Sequence, residues 1–464
     1  MSNTLLAIDI GSTDVTAIIA KNDLDYKINI LGTGVENSDG INKGLITNIE
    51  LASKSIQNAV LKARRSTSEP IESTIVSISG SYTKGIRSMG SVNVPNGIIT
   101  EHEINQVMQM ALYNATIVPE YEVVHVIPIF FKVDDSADVD NPLNMNGARL
   151  EVSVYIVTAK RTALTNLKSA FKESNIEITN FVLNGYATAI SVLDEQQNKF
   201  GSLVINIGST TTEFVCYKGG SLLYTDFIPV GSNHITNDLS VMLHTPHNAA
   251  ELIKIKYGSL LANNSAEDDE LTIKKIKIPR IGDEQVTEEI SLVDIRNIIH
   301  ARVEEILLLI KSKLNRSGIA DNLDAGIVIT GGMSKLKGIK ELATLVFENQ
   351  PVKIANPKNI KNGYMNFDDP TMSTIVGLLF YSLDKNRNFE LDSNKKLRRK
   401  VIEQRRVIQK EEIKEIQRAK QQPNDKTNID IKLKSEDPTQ LPKISKNDKS
   451  KGMARFWNKV SEWF

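Results

Sequence analysis

Two short segments of this 464-residue chain, far apart, read almost alike. Ile8-Asp9-Ile10-Gly11-Ser12-Thr13 opens it, and Ile205-Asn206-Ile207-Gly208-Ser209-Thr210 recurs 197 residues later. Each lies between β-rich runs, Leu5 to Ala20 and Ser202 to Tyr217, and reads as strand, tight turn, strand. A Gly-Ser/Thr turn brings backbone N–H groups and hydroxyls against an anion with no side chain in the way. One such turn is ordinary in hairpins. Two at corresponding places imply a duplicated fold closing on a nucleotide's phosphates from both sides.

The length suits about three domains. The 56 basic and 56 acidic residues cancel, so no global field argues for nucleic acid as a partner. An apolar content of 41% suffices for several cores. The single cysteine, Cys216, excludes an internal disulfide framework and fits a reducing cytoplasm. It lies in the β-rich run Glu213–Tyr217, so a buried thiol is expected rather than a catalytic one. The N-terminus enters a strand with no basic n-region, so no signal peptide is expected. No apolar run approaches the roughly 18 residues of a membrane span.

The first 80 residues read β-β-β-α-β, with a helix at Asn48–Arg65 and a strand at Ile75–Ser79. Residues 85–160 change character. Short β runs (Gly90–Pro95, Val123–Val133, Arg149–Thr158) surround one helix, Glu101–Ala115, as in a small inserted α+β unit. Helical patterns follow at Ala163–Glu173, Gly185–Leu193, Gly231–Val241 and Asn248–Tyr257. A polar stretch (Asn263 to Glu270) leads into short strands around Leu271–Ile281. Leu292–Leu314 is a long amphipathic helix with Ile295, Ile298, Ile299, Val303, Ile306 and Ile310 on one side. Ile327–Thr330 is a strand stopped by Gly331-Gly332, and the globular part is expected to end with a helix near Ser373–Leu383. Alternating β and α elements in two similar halves imply α/β domains with mixed sheets. Residues 395–420 carry 11 Lys/Arg and 4 Glu. With no aromatics interleaved, they read as a solvated arm rather than a nucleic-acid patch. Residues 421–450 have the composition of a disordered linker, whose 30 residues would span about 30 Å as a coil.

Asp9 stands two residues before its glycine, where a carboxylate can hold a magnesium-bound water beside a phosphate; the bland alternative is a turn cap. The matching second loop favours the first reading. Gly331-Gly332-Met333-Ser334 is a third glycine turn, where backbone can approach a flat base. Alone it is a weak signal. Glu251 and Lys254 are i,i+3 neighbours on one helix. Such a pair is commonly a surface ion pair, and beside three glycine turns it suits ribose and adenine.

In combination, two phosphate turns, a Gly-Gly turn and a Glu-x-x-Lys helix resemble the actin superfamily of ATP-binding proteins. Within it the chain resembles the bacterial FtsA cell-division family. Three further stretches carry that likeness: Ile78-Ser79-Gly80 with Gly90; Asn141-Pro142 with Met145, Gly147, Arg149, Leu150 and Glu151; and Gly231 with His234-Ile235-Thr236 and Asp238-Leu239. The resemblance spans about residues 4–384 and the C-terminal end. It implies an α/β, actin-like (ribonuclease H-like, duplicated) ATP-binding fold with an inserted α+β subdomain, a disordered linker and a C-terminal amphipathic helix. The implied layout is subdomain 1A at 1–84 and 161–197, 1C at 85–160, 2A at 198–230 and 321–384, and 2B at 231–320. A linker at 385–450 and a membrane-targeting helix at 451–464 complete it. ATP and Mg2+ are the implied cofactors. Gly11, Ser12, Thr13, Gly208, Ser209, Thr210 and Thr211 would lie on phosphate, Glu251, Lys254, Gly331, Gly332 and Met333 on adenosine, and Asp9 on the metal through water. Head-to-tail filaments are also implied.

The chain departs from the family pattern at several positions. Asn206 occupies the aspartate position of the second loop, Ser209 stands for a second glycine and Glu213 for a later aspartate. Asn184 falls where an acidic residue is usual. An amide cannot act as a base and holds magnesium water less strongly than a carboxylate. ATP binding with at most weak hydrolysis is therefore expected, and no catalytic residue is assigned.

Both tryptophans of the chain fall in its last fourteen residues. At about 100° per residue, Met453, Phe456, Trp457, Val460, Trp463 and Phe464 share an arc of about 120°. Lys451, Arg455, Lys459 and Glu462 take the other side. Aromatics facing one way and cations the other describe a helix lying in a membrane interface; the alternative is a helix docked on protein. Arg455 and Lys459 are read with the apolar arc as membrane-binding.

The family resemblance implies a tether of the FtsZ ring, peripheral on the cytoplasmic face of the inner membrane at the division site. It would hold the FtsZ C-terminal peptide through 2B and later division proteins through 1C. Two other readings remain: a PilM-like pilus-assembly adaptor, which needs no terminal helix of its own, and a small-molecule kinase of the same superfamily, against which Asn206 speaks. A chaperone is disfavoured, because no β-rich substrate domain follows.

Overall fold

The first hairpin shows how the chain builds its halves. Thr4–Ile10 (β1) and Asp14–Asn22 (β2) pair antiparallel from Thr4↔Lys21 to Ile10↔Val15. Nearly every residue of β1 is buried, which marks a strand covered on both faces. The computed structural model describes residues 4–22, 28–261, 274–319, 323–360, 366–383 and 389–398. The apolar helix expected at 451–464 lies outside the described residues, as does the arm from residue 399 on.

After β2 come β3 (Ile28–Asn37), a two-residue ladder of β4 (Ile41–Asn42) and β5 (Leu45–Ile46), α1 (Ile49–Arg64) and β6 (Ser73–Ile78). Asn48 caps α1 by accepting from the Leu51 N–H at 3.1 Å, an interaction worth about 1 kcal/mol. The insert follows: β7 (Thr83–Asn93), α2 (Glu101–Asn114), β8 (Tyr121–Val133), β9 (Ser136–Val139) and β10 (Arg149–Lys160). The chain re-enters the first half through α3 (Arg161–Glu173), β11 (Asn180–Leu183) and α4 (Asn184–Val192).

The second half opens with α5 (Glu195–Phe200), β12 (Ser202–Ile207), β13 (Thr212–Lys218) and β14 (Ser221–Ile228). Helices α6 (Ser232–Met242) and α7 (His247–Tyr257), the hairpin β15 (Lys275–Arg280) and β16 (Asp283–Ser291), and the long α8 (Leu292–Ser317) come next. Then follow β17 (Ile327–Thr330), α9 (Ile339–Val346), β18 (Val352–Ile354) and α10 (Ser373–Leu383). All six isoleucines and valines expected to face inward on α8 are buried.

The two main sheets are topological copies. The first runs β3-β2-β1-β6-β11, the second β14-β13-β12-β17-β18. In each, three strands meander antiparallel and the next two join in parallel. A shared core lies between them, where Leu5, Ala7 and Ile18 of the first half meet Val204, Val215 and Val328 of the second. Helices α4 and α10 are packed into that core. Their approach is very close: a Cβ on Gly377 would lie 1.9 Å from the Ala187 carbonyl oxygen. Cys216 is fully buried in β13, and burial pushes its thiol up to about 12.

The insert's sheet packs against α2 and also touches the second half. Tyr155 Oη accepts from the Thr225 N–H of β14 at 2.9 Å, Arg87 donates to the Leu223 carbonyl, and Ser221 donates to the Pro128 carbonyl.

Two readings need correction. The β4–β5 ladder, strands β9, β11, β14 and β18 and helices α5 and α9 lie outside the pattern read from the sequence; β11 is only four residues long, too short to show a period. The globular fold also does not end at α10, and the linker does not begin at residue 385. Phe389–Arg398 returns to the insert, where β19 (Glu390–Leu391) pairs with β8 through Leu391↔Val126 and with β20 (Leu397–Arg398). Phe389 and Leu391 are buried in the insert's core, each worth about 1.5–3 kcal/mol. Composition hid this segment, because charged residues surround only two deeply buried apolar side chains.

Candidate functional site

The two glycine turns close with the same hydrogen bond. Gly11 N–H donates to the Asp14 carbonyl and Gly208 N–H to the Thr211 carbonyl, each at 3.0 Å. Neighbouring elements then fix each turn. Ser38 donates to the Gly11 carbonyl at 2.7 Å, and the N-terminus of α6 donates from Ser232 and Asn233 to the carbonyls of Gly208 and Ser209. The turns face one another across a cleft and touch, with Thr210 Oγ1 donating to Ser12 Oγ at 2.7 Å. The cleft measures about 820 Å³, within the range of small-molecule sites. Its lining includes Asp9, Gly11, Ser12, Thr13, Gly208, Ser209, Thr210, Thr211, Glu251, Lys254, Gly331, Gly332 and Met333. The structure therefore brings together in one cavity every phosphate, adenosine and metal candidate named from the sequence.

Asp9 projects from the end of β1 and is held in place by Ser77, whose hydroxyl donates to Oδ1 at 2.7 Å and accepts from the Ile10 N–H at 2.8 Å. Burial pushes its carboxyl up to about 6. A second buried carboxylate, Glu213, lines the same cleft. Glu213 reaches from β13 of the second half to the first, where its Oε1 accepts from Ser79 Oγ at 2.8 Å and from the Gly80 N–H at 2.9 Å. Burial raises it to about 7, and the Asp9 charge adds to the shift. The signal was present: a lone carboxylate in an otherwise apolar strand needs partners from elsewhere in the fold.

Two buried oxygens lining the same cleft, Glu213 Oε2 and Asn184 Oδ1, have no hydrogen-bond partner. With Asp9 they form a set of hard oxygen donors, the chemistry of a hydrated magnesium ion. Among the described residues no three His, Cys, Asp or Glu cluster as a metal cage. Asn206 points its amide away from this role. Its Nδ2 lies 3.3 Å from Thr188 Oγ1 and 3.4 Å from Thr374 Oγ1, hydroxyls on α4 and α10.

The far side of the cleft is built on α6 and α7. Lys254 Nζ donates to Glu251 Oε2 at 2.6 Å, to Thr236 Oγ1 at 2.9 Å and to the Ser232 carbonyl at 3.2 Å. Burial pushes the Glu251 carboxyl up, but hydrogen bonds from Lys254 and Thr236 outweigh it, and the group lies below its ordinary range. The opposing wall is the turn after β17. Gly331 has a φ of 87°, and a Cβ there would lie 2.5 Å from Asn206 Oδ1. Only glycine suits that backbone and that approach.

The arrangement is a pair of facing glycine turns with a polar pocket at one end. The same chain matches known proteins along most of its length. The family profile "Cell division protein FtsA" matches residues 203–377, and the profile "SHS2 domain inserted in FTSA" matches residues 80–158. The cell-division protein FtsA of Helicobacter pylori is 34% identical over 417 residues, covering 84% of each chain. That of Pseudomonas aeruginosa is 32% identical over 382 residues, covering 82% of this chain and 89% of its own. That of Escherichia coli is 29% identical over 395 residues, covering 85% and 93%. Among solved structures, a PilM-PilN type IV pilus biogenesis complex superposes with a TM-score of 0.56 at 14% identity, over 82% of this chain and 98% of the other. That likeness reports the fold alone, which is actin-like with an inserted subdomain. Duplicated sheets, the inserted domain and identity sustained over four-fifths of the chain agree: this chain belongs to the FtsA family of cell-division proteins.

Proposed function

We propose that this protein binds ATP with Mg2+ in the interdomain cleft, assembles into filaments, and tethers the FtsZ ring to the cytoplasmic membrane while later division proteins join it. The observation that carries the reading is the pair of identically closed turns meeting at Ser12 and Thr210. Two facing sets of N–H groups and hydroxyls suit a polyphosphate, which presents oxygens on all sides. A magnesium ion would neutralise part of the phosphate charge. Asp9, Glu213 and Asn184 would accept from its water shell, while Ser12, Thr13, Thr210 and Thr211 donate to phosphate oxygens. Lys254 and Glu251 would take the ribose hydroxyls, and Gly331 and Gly332 would lie against the base.

Rapid hydrolysis is disfavoured at the second loop, where Asn206 is an amide that cannot act as a base and bonds to hydroxyls of α4 and α10. The protein is therefore assigned as a nucleotide-gated assembly factor with at most weak ATPase activity. Attachment is assigned to residues 451–464 and acts through number. One short helix binds a bilayer reversibly, but neighbours along a filament bind at high effective concentration once the first is down. Subdomain 2B is assigned to the FtsZ tail peptide and the insert to later division proteins.

Co-sedimentation with liposomes of anionic lipid, in magnesium-ATP, tests the tether. The full chain is expected to pellet and a chain ending at Ser450 to stay in solution. Equal behaviour of the two would overturn membrane anchoring and favour a pilus-type protein adaptor.

A further inference from the structure

Outside the cleft, the most heavily bonded buried charge of the described residues is Glu390, on the short strand β19. It is 1% exposed. Tyr186 of α4 donates to its Oε2 at 2.8 Å, and Tyr381 of α10 donates to its Oε1. Arg398 of β20 donates to the same oxygen at 3.2 Å, donates to the Tyr381 carbonyl, and stacks its guanidinium 3.7 Å above the Tyr381 ring. His125 of β8 faces the carboxylate, with Nδ1 3.8 Å from Oε1. Its Nε2 accepts from the Leu183 N–H at 3.2 Å, so the ring proton sits on Nδ1, toward Glu390. Burial alone would push the carboxyl up. The nearby His125 ring, the charge of Arg398 and the bond from Tyr381 outweigh it, so the group stays ionised, well below the ordinary range.

Four elements thus converge on one carboxylate, and two of them reach the cleft. Helix α4 begins at Asn184, whose unpartnered Oδ1 lines the cleft, and Tyr186 is two residues further on. Helix α10 carries Thr374, which also lines the cleft and takes the Asn206 amide, and Tyr381 lies two turns along it. Thr188 and Thr374 pair at 3.1 Å between the helices, and Gly377 leaves no slack there. On the other side, residues 393–395 are bonded to their surroundings. Ser393 exchanges hydrogen bonds with Asn180 and Phe181 of β11, Asn394 donates to the Thr179 carbonyl at 2.7 Å, and Gln109 of α2 donates to the Lys395 carbonyl.

We propose that the Glu390 cage is a coupling element, joining the segment 389–398, from which the C-terminal tail continues, to the two helices that floor the cleft. A nucleoside triphosphate in the cleft and the order of that segment then stabilise one another. The proposal rests on reading the cleft as a nucleotide site. The physical path is a continuous set of packed helices and hydrogen bonds, the kind of network that carries coupling between sites. Its function is to let the state of the cleft reach the point where the tail departs.

Hydrogen exchange on the full chain, with and without magnesium and a slowly hydrolysed ATP analogue, tests it. Nucleotide is expected to slow exchange in peptides covering 389–398 about fivefold, besides protecting the two phosphate turns. Linkage is reciprocal, so Glu390→Gln should weaken binding of a fluorescent ATP analogue by a similar factor. If Glu390→Gln fails to fold, Tyr186→Phe removes one hydroxyl from the cage and keeps the ring. Protection of the turns with no change at 389–398, together with unaltered affinity in the variant, overturns the coupling and leaves the nucleotide site standing. No protection of the turns and no binding of the analogue overturns both.

Discussion

At the scale of the residue, two buried carboxylates set the character of the cleft. Asp9 is raised from 3.8 to about 6 and Glu213 from 4.5 to about 7, both by burial. A folded state that holds its proton more tightly than the unfolded chain gains from low pH. The sign is therefore fixed: each group's contribution is complete below about pH 4 and is lost as pH rises through 6 to 7. Replacing both by amides, Asp9→Asn with Glu213→Gln, should remove this loss. Relative to wild type the double variant is expected to gain about 5 kcal/mol of stability between pH 4 and pH 8. Urea titrations at the two pH values, without nucleotide, measure it; parallel behaviour of the two proteins would refute the burial argument. The residues legible in advance were those whose chemistry is local. Gly11, Gly208 and Gly331 announce turns by type and spacing, and Glu251 and Lys254 announce a pair by their interval. Ser77, Ser79 and Thr236 did not announce themselves as partners of Asp9, Glu213 and Glu251, because their roles arise from contacts 68, 134 and 15 residues away in the chain, at about 3 Å in space.

At the scale of the element, most helices of both halves were legible because each buries one periodic apolar face, while α5 and α9, of six and eight residues, were too short to show one. The shortest strands that escaped are defined by partners rather than by pattern. Strand β11 has four residues, and β19 and β20 have two each. Their register comes from β6, β8 and one another. Packing of α4 on α10 is the contact most exposed to a single substitution. Gly377→Ala places a methyl where the Ala187 carbonyl already stands, so the helices must separate. Overpacking of this kind costs about 2–3 kcal/mol. Because both helices end at the cleft, nucleotide affinity should fall together with the urea midpoint, and a variant of wild-type stability would show that the helices can part freely.

At the scale of the whole molecule, the insert behaves as a brace. It enters and leaves through the first half, yet Tyr155, Arg87 and Pro128 bond it to β14 of the second. Opening of the cleft must work against those bonds. Tyr155→Phe with Ser221→Ala removes two of them without touching the cleft, and nucleotide release is expected to quicken about three- to tenfold in stopped-flow chase experiments. An unchanged release rate would show that the brace carries no load. The likeness of the two halves was legible from two six-residue segments. The brace was not, since nothing in the sequence of β7 or β10 reports what lies across the sheet from it. The buried thiol of Cys216 has a practical consequence of another kind. The only native sulfhydryl is sealed inside β13 and held protonated. Any cysteine engineered onto the surface would therefore be the one group that a maleimide dye can find. The wild-type chain is already a blank background for single-site labelling, ready for distance measurements between its halves.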